Sequence, residues 1–330
     1  MADHSPFPIS DHCDGTRFFN PAGWKHALGF FKLPRWWWQR LALGQGETWP
    51  RQVRAPRIPQ LPATVPAGQV AVTFIGHSTF LLQVAGLNIL TDPIFASRAG
   101  PFGWAGPWRA RPPARRLGEL PRIDLVLVSH NHYDHLDLAT LRWLARRHRP
   151  HILTTLGNKA WLEARGVGRV TEFDWWQERE ATPDITAVCT PAQHFTARWP
   201  WDRNRTLWGG FVLNTPAGRI WFAGDTGYCA GFKEIGARLG PVDLAFIPIG
   251  AYEPRWFMEP VHLNPAEAVQ AHLDVRSRRS LGMHFGTFQL TDEGVEAPVH
   301  ALAAARTAHG VADEAFTTLD FGETRLVKLR

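Results

Sequence analysis

Ser129-His130-Asn131-His132-Tyr133-Asp134-His135 puts four side chains able to bind metal within six residues. Such a run cannot be buried without partners, because an unpaired carboxylate or imidazole in an apolar site is costly. Divalent cations satisfy all four. His130 and His132 stand two apart and point the same way from an extended segment. Asp134 and His135, after a turn, can face a second ion. A solvated polar loop is the bland alternative, and it suits a lone histidine better than this cluster.

Further donors recur at regular places. His194 follows the apolar stretch 185–190, Asp225 follows 219–224 and His284 follows 280–283. Each stands just past the end of a stretch that reads as a strand. α/β proteins carry their sites there, because strand ends are rigid and the loops beyond them are free to vary. Taken singly, His194 or His284 is an ordinary histidine; beside the first cluster they read as a set. His262 is a candidate of another kind. Asn264-Pro265-Ala266-Glu267 reads as an N-cap, an N1 proline and an N3 acid, so a helix starts at Pro265. His262 lies just before that N-terminus, where anions are favoured. It can contact a phosphate oxygen or protonate a departing alkoxide, with a structural loop histidine as the alternative. His77, in a G-H-S turn, reads as a supporting hydrogen-bond partner, and Asp92 as a group that orients a ligand histidine. Arg98, Arg109 and Arg111 are candidates for a phosphate-attracting rim, or equally for a solvated loop.

The elements that must position these groups alternate. QVAVTFIG, STFLLQV and LNILTD read as three strands, with Ala85-Gly86 turning between the second and third. IDLVLVS (123–129) is continuously apolar, as expected of a strand buried on both faces. Further strands are expected at 151–155, 169–172, 185–190, 209–215, 219–224, 243–248 and 280–283. Helices are expected at 136–149, 158–166, 231–239, 265–274 and 294–308. Strands alternating with helices make the class α/β. Residues 95–122 form a long Gly/Pro/Trp/Arg-rich loop, and loops of that length are usually functional. Residues 1–68 differ: they are rich in Pro, Arg and Trp and offer little core, so they read as an extension ahead of a catalytic domain at 69–330. A short helix is expected at 24–33, ended by Pro34, and a proline-stiffened arm at 50–68.

Composition narrows the class. The chain has 330 residues, 45% hydrophobic and 20% charged, which excludes wholesale disorder. No apolar run is long enough to span a membrane, and the N-terminus carries no secretory pattern. Three scattered cysteines exclude a disulfide scaffold and a CxxC zinc ribbon and fit a reducing, cytoplasmic compartment. The net charge of +6 is uneven: residues 98–122 hold six arginines against one acid. A basic front end suits phosphates, anionic membranes or nucleic acid.

The order H-x-H-x-D-H, a lone His, G-D and a final His, across residues 70–290, resembles the metallo-β-lactamase superfamily. That resemblance implies a four-layer αββα sandwich. It places His130, His132 and His194 on one metal ion, Asp134, His135 and His284 on a second, and Asp225 between them. Gly76-His77-Ser78-Thr79-Phe80-Leu81, the stretch Asp92 to Arg98, SHNHYDHLD (129–137) and His262-Leu263-Asn264-Pro265-Ala266-Glu267-Ala268 are similar to the family of phospholipases D that hydrolyse N-acylphosphatidylethanolamine. This implies phosphate binding by His262, which with Asp134 is a catalytic candidate. A redox diiron member would be expected to carry Glu at position 132; histidine there, with no cysteine ligand, favours two Zn²⁺ per chain and hydrolysis.

The expected activity is therefore hydrolysis of an N-acyl phosphatidylethanolamine-like lipid to N-acylethanolamine and phosphatidate. Rival readings are a hydrolase of a small carbonyl substrate (lactone or thioester), a nuclease, and a membrane-surface protein with structural metals. No RNA-binding module is evident, so no nucleic-acid partner is expected. Residues 24–41 hold basic residues, no acid and three consecutive tryptophans, Trp36, Trp37 and Trp38. They suit peripheral attachment to an anionic membrane; packing on the chain's own core or at a homodimer interface is the equal alternative.

Overall fold

Alternation along the strands decides how the layers stack. In the computed structural model, which describes residues 6–26, 32–53 and 61–330, Val70, Val72 and Phe74 of β1 (Gln69–Gly76) enter one apolar cluster and Ile75 another. The same split divides Leu125 and Leu127 from Val126 and Val128 in β4 (Leu125–Val128). A strand with both faces covered needs apolar residues at every position, which is why its sequence is a continuous run.

The first sheet has the order β14 (Thr324–Lys328), β1, β2 (Thr79–Val84), β3 (Leu87–Thr91), β4, β5 (His151–Thr155), β6 (Val170–Phe173). The second has the order β13 (Phe316–Thr317), β12 (Ser280–Met283), β11 (Leu244–Pro248), β10 (Gly218–Phe222), β9 (Gly210–Thr215), β8 (Ile185–Thr190), β7 (Glu178–Thr182). Both sheets are mixed. Pairing is antiparallel from β14 to β3 and parallel from β3 to β6; in the second sheet it is parallel from β13 to β10 and antiparallel from β10 to β7. Helices α2 (Leu138–Arg147) and α3 (Lys159–Glu163) bury Leu141, Leu144 and Leu162 against the first sheet. Helices α4 (Gly231–Leu239), α6 (Pro265–Asp274) and α7 (Ala297–His309) add Ile235, Val269 and Leu302 to the main cluster with the second sheet. The result is the four-layer αββα sandwich.

The register pins one edge. β1, β3 and β4 run the same way, as do β8, β10, β11 and β12, so the turns after them meet along one side of the sandwich. The expected metal ligands sit just past those strands, and His262 lies further along the connection that follows β11.

The remaining differences have physical causes. Pro34 does not end a helix over 24–33; it opens α1 (Leu33–Ala42), standing in the first turn, where its missing N–H costs nothing. Residues 24–26 are not helical, and 27–31 lie outside the described residues, as do 54–60 of the expected arm. β7 (EREAT) and β14 (TRLVK) had no apolar signal because each is an edge strand of its sheet, where charged side chains guard unpaired backbone. β13 and the four-residue α5 (Arg255–Met258) are too short to leave a period. Residues 6–26 give more to the core than expected: Cys13 and Phe18 are buried in the main cluster, and Phe7 and Trp24 pack on it.

Candidate metal centre

β4 delivers Ser129–His135, β8 leads to His194, β10 to Asp225 and β12 to His284. The nitrogen and oxygen atoms of these side chains converge into two overlapping groups. In one, His130 Nε2 lies 2.8 Å from His132 Nδ1, which lies 3.3 Å from His194 Nε2. In the other, Asp134 Oδ2 lies 3.4 Å from His135 Nε2 and 3.3 Å from His284 Nε2. Asp225 Oδ2 lies 3.0 Å from His135 Nε2, 3.1 Å from His284 Nε2 and 3.9 Å from His194 Nε2, so it reaches both groups. Two ligands on one tetrahedral zinc stand about 3.4 Å apart, from bonds of about 2.1 Å.

The outer hydrogen bonds show which way the imidazole lone pairs point. Asp92 accepts from the Ser129 hydroxyl (2.5 Å) and from His135 Nδ1 (2.6 Å). Ser129 Oγ, its proton given to Asp92, accepts from His130 Nδ1 at 2.9 Å. The Val261 carbonyl accepts from His194 Nδ1 at 2.8 Å. Each of these rings therefore spends its N–H outward and turns a bare Nε2 toward the centre. Lone pairs facing lone pairs and carboxylates need cations between them. Asp225 Oδ1 and His135 Nε2 are buried with no hydrogen-bond partner, so the donor set fits divalent ions.

The charge states differ between the two groups, and in the second a proton on Nε2 takes the place of a cation. Burial, with neighbouring imidazoles, lowers His130 and His194 well below the ordinary value and His132 to about 4, so these rings are neutral. Burial also opposes charge on His135 and His284, but Asp225 and Asp134 outweigh it, raising the first well above its usual value and the second to about 9. The second group thus demands positive charge beside its carboxylates.

Backbone geometry is spent on this edge. His77, Asp92 and His284 have φ of 59°, 30° and 63°, the left-handed region that costs a non-glycine residue energy. Gly224 (φ 65°) precedes Asp225, and a Cβ there would meet Gly209 O at 2.7 Å and Ser129 Cβ at 2.8 Å. The G-D pair thus lets β10 turn tightly against the Ser129 segment.

His77 reaches the cluster as expected of a supporting residue. Burial lowers its pKa to about 3, and its neutral ring is placed to donate from Nε2 to Asp134 Oδ2 at 3.1 Å. Its carbonyl also accepts from His284 N at 2.9 Å. His262 stands between the two groups, with Nδ1 3.9 Å from Asp225 Oδ2 and its ring 5.3 Å from that of His194 and 5.4 Å from that of His284. Burial lowers its pKa to about 3, and Nδ1 has no hydrogen-bond partner. α6 starts at Pro265 with the expected reciprocal cap: Glu267 N donates to Asn264 Oδ1 (2.8 Å) and Asn264 N to Glu267 Oε2 (3.0 Å). Arg255 clamps this start, pairing with Glu267 at 2.8 Å and donating to the His262 carbonyl at 3.0 Å.

Two expected rim arginines are structural instead. Arg109 is buried and donates to the carbonyls of Ile94 and Ala96, both at 2.8 Å. Arg111 pairs with Glu296 at 2.9 Å and lies over Phe321. Both belong to the packing of the long loop, so neither forms a rim. Cys229 is buried, and burial pushes its thiol up to about 12, as suits a small apolar residue.

Above His132, Asp134, Asp225 and His262 opens a cavity of about 230 Å³. Leu33, Trp36, Phe195, Phe257, Met258, Val261 and Leu290 make its walls apolar, and Arg203 adds a cation. Trp36 apart, the sequence had not marked these wall residues. They come from four separate segments, and only the fold brings them together.

A family model described as a beta-lactamase superfamily domain matches residues 87–285. A Caenorhabditis elegans protein named N-acyl-phosphatidylethanolamine-hydrolyzing phospholipase D 1 is 43% identical over 264 residues, 76% of this chain and 74% of the relative. A Saccharomyces cerevisiae mitochondrial protein named for the same hydrolysis is 36% identical over 227 residues, 67% of this chain but 48% of that relative, so the match spans about half its length. The solved structure of a metallo hydrolase from Ignicoccus hospitalis superposes with a TM-score of 0.60 at 20% identity, over 79% of this chain and 100% of that one. This last likeness concerns the fold alone.

Proposed function

This chain belongs to the metallo-β-lactamase superfamily of metal-dependent hydrolases, and from that premise we propose that it is a dizinc phosphodiesterase of phospholipase D type. Its substrate in this reading is an N-acyl phosphatidylethanolamine-like lipid, cleaved to N-acylethanolamine and phosphatidate. The observation that carries the reading is the pairing of a His/Asp metal centre with an apolar cavity directly above it. The named relatives point the same way.

His130, His132 and His194 would hold one ion, Asp134, His135 and His284 the other, and Asp225 both. Bound there, the ions would supply Lewis acidity and bring the pKa of water near neutral. The protein's own contributions follow from its geometry. Asp92 and Ser129 fix the rings of His135 and His130 by hydrogen bonds, and His77 holds one oxygen of Asp134. The neutral His262, with Nδ1 unpartnered, presents a nitrogen toward the position a phosphate would take, to bind an oxygen or to pass a proton to the leaving alkoxide. Phe195, Phe257, Met258 and Leu290 receive acyl carbon, each buried methylene contributing about 0.8 kcal/mol. Arg203, over the Phe195 ring at 4.6 Å, sets a positive charge beside the anionic diester.

The lipid substrate requires the cavity mouth to meet a bilayer. Trp36 lines the cavity while Trp37 and Trp38 of the same helix are 61% and 59% exposed. This arrangement supports docking of α1 on an anionic membrane. No helix among the described residues is long and apolar enough to cross one.

The test combines elemental analysis with hydrolysis of a bis-aryl phosphodiester, an N-acyl phosphatidylethanolamine, a lactone and a thioester. Two zinc ions per chain and turnover of both phosphodiesters are expected. Turnover of the lactone or thioester alone would overturn the reading.

A further inference from the structure

Beside the metal centre, on the far side of the Tyr133 loop, a second cleft of about 300 Å³ is lined by Arg98, Tyr133, Asp137, Arg142 and Arg198 and roofed by Phe102. Its electrostatics are unusual. Arg98 donates to Gly106 O (2.8 Å), Arg142 to Arg165 O (2.7 Å) and Arg198 to the carbonyls of Asn131 (2.8 Å) and Leu136 (2.9 Å). Carbonyls orient a guanidinium but do not cancel its charge. Among the described residues none of the three forms an ion pair with a carboxylate. Asp137 is the one acid in the lining, and its oxygens are occupied in capping α2 and the 95–96 turn. They accept from Ala139 N, Thr140 N, Thr140 Oγ1, Phe95 N and Ala96 N. Asp202 lies near Arg198 as well, so three guanidinium groups stand against two carboxylates and the cleft keeps a net positive charge.

The roof belongs to an exposed aromatic ridge. Trp104, Phe102, Trp199 and Trp201 follow one another with ring centroids 5.7, 5.6 and 5.2 Å apart. Trp104 is 72% exposed, Phe102 68% and Trp201 67%. Trp104 stacks on Phe102 and Trp201 on the half-buried Trp199, so three of the four rings leave apolar area at the surface. Indole and phenyl rings beside a basic cleft match the boundary between headgroups and acyl chains in a bilayer.

We propose that this cleft is a phosphate-binding socket, separate from the metal centre, that takes the phosphomonoester headgroup of an anionic lipid while the ridge enters the bilayer boundary. A phosphomonoester carries between one and two negative charges near neutral pH, opposite in sign to the cleft, and its three terminal oxygens suit the planar donors of three arginines. A diester offers the three arginines only two terminal oxygens. The socket draws on the loops following β3, β4 and β8 and on Arg142 of α2, and those strands also end at the metal centre, so the socket lies at the same edge of the sandwich as the cavity.

The test uses the full chain and its Arg98→Ala/Arg142→Ala variant. Arg198 is kept, because it holds the metal-centre loop through Asn131 and Leu136. Sedimentation with phosphatidylcholine vesicles carrying phosphatidate, against pure phosphatidylcholine vesicles, reads the headgroup preference. Each cation near an anionic surface contributes about 1 kcal/mol, so the variant should lose roughly tenfold or more of that preference. Its metal content and turnover of a soluble phosphodiester should stay at the parent level; if they do not, Arg98→Gln/Arg142→Gln replaces it. Trp104→Ser/Trp201→Ser should weaken binding to vesicles yet leave affinity for inorganic phosphate unchanged, which separates a lipid headgroup from free phosphate. Arginine-dependent binding of inorganic phosphate with no preference for phosphatidate vesicles would overturn the lipid source. Arginine variants that bind both probes like the parent would overturn the socket.

Discussion

The strand-end edge and the N-terminal segment are held in place by different means. At the edge, each donor side chain extends from a strand buried on both faces, and most are fixed again by a second hydrogen bond: Asp92 on His135, Ser129 on His130, Val261 O on His194, His77 on Asp134. In the N-terminal segment the anchoring is uneven: Cys13 and Phe18 are buried in the main cluster, whereas α1 lies on the surface. His12 bonds to Asp11 (2.6 Å) and Asp174 (2.8 Å) and stacks on Trp175. No residue of α1 is buried. It is held by Trp36 Nε1 donating to Asp292 (2.8 Å), by Arg40 near the same carboxylate (3.6 Å) and by Arg35 over Trp256 (4.5 Å). Chemistry is thus built on redundant supports, and one wall of the cavity is built on sparse ones. The first region should respond to substitution with loss of metal, the second with changes in access and attachment.

The sharpest test removes the carboxylate shared by both groups. Asp225→Ala should lose both ions by elemental analysis and reduce turnover to background. Two retained ions with ordinary activity would remove the distinction between the regions. Asp92→Asn keeps the shape but weakens the support of His135 and Ser129; metal affinity should fall by about 10- to 100-fold in a competitive chelation titration. His262→Ala should keep both ions and lower kcat/KM on phosphodiesters by about 10- to 150-fold, the effect of one charge-assisted contact worth about 1.5–3 kcal/mol. Trp36→Ala should act only on access: KM for a long-chain lipid should rise several-fold while kcat on a short soluble diester is unchanged, and equal loss on both would place Trp36 among the supports of the metal centre.

The smallest expected effect is a pH dependence of the N-terminal anchor. Burial disfavours charge on His12, but the hydrogen bonds to Asp174 and Asp11 outweigh it and raise its pKa above 6.5. A raised value means the contact contributes fully below pH 6.5 and is lost as pH climbs through the raised value. Limited proteolysis of residues 6–26 should therefore quicken on the alkaline side, and His12→Gln should flatten the profile. A profile that His12→Gln leaves unaltered would show that other contacts hold this segment.

The two regions also differed in how much their sequence disclosed. His130, His132, Asp134, His135, His194, Asp225 and His284, which the structure brings together, stood out because strands buried on both faces leave apolar runs with polar clusters directly after them. The capping pattern at Asn264–Glu267 located α6 and with it His262. The long loop misled, because an arginine-rich composition does not say which guanidinium groups will be spent on carbonyls, as Arg109 is. Pro34 misled for a related reason: proline both ends and begins helices, and the tryptophans after it decide nothing about which. β7 and β14, being charged edges, were silent. The cavity walls were silent too, since Phe195, Phe257 and Leu290 become neighbours only when the two sheets close.

The central claim is that this chain directs water to phosphorus. Hydrolysis of N-acyl phosphatidylethanolamine by the zinc-loaded protein in ¹⁸O-enriched water, with mass analysis of both products, tests it most directly. The label should enter phosphatidate and be absent from the N-acylethanolamine, and a chelator should abolish the reaction. Label in a released fatty acid, or no cleavage of the phosphodiester by fully metal-loaded protein, would contradict it.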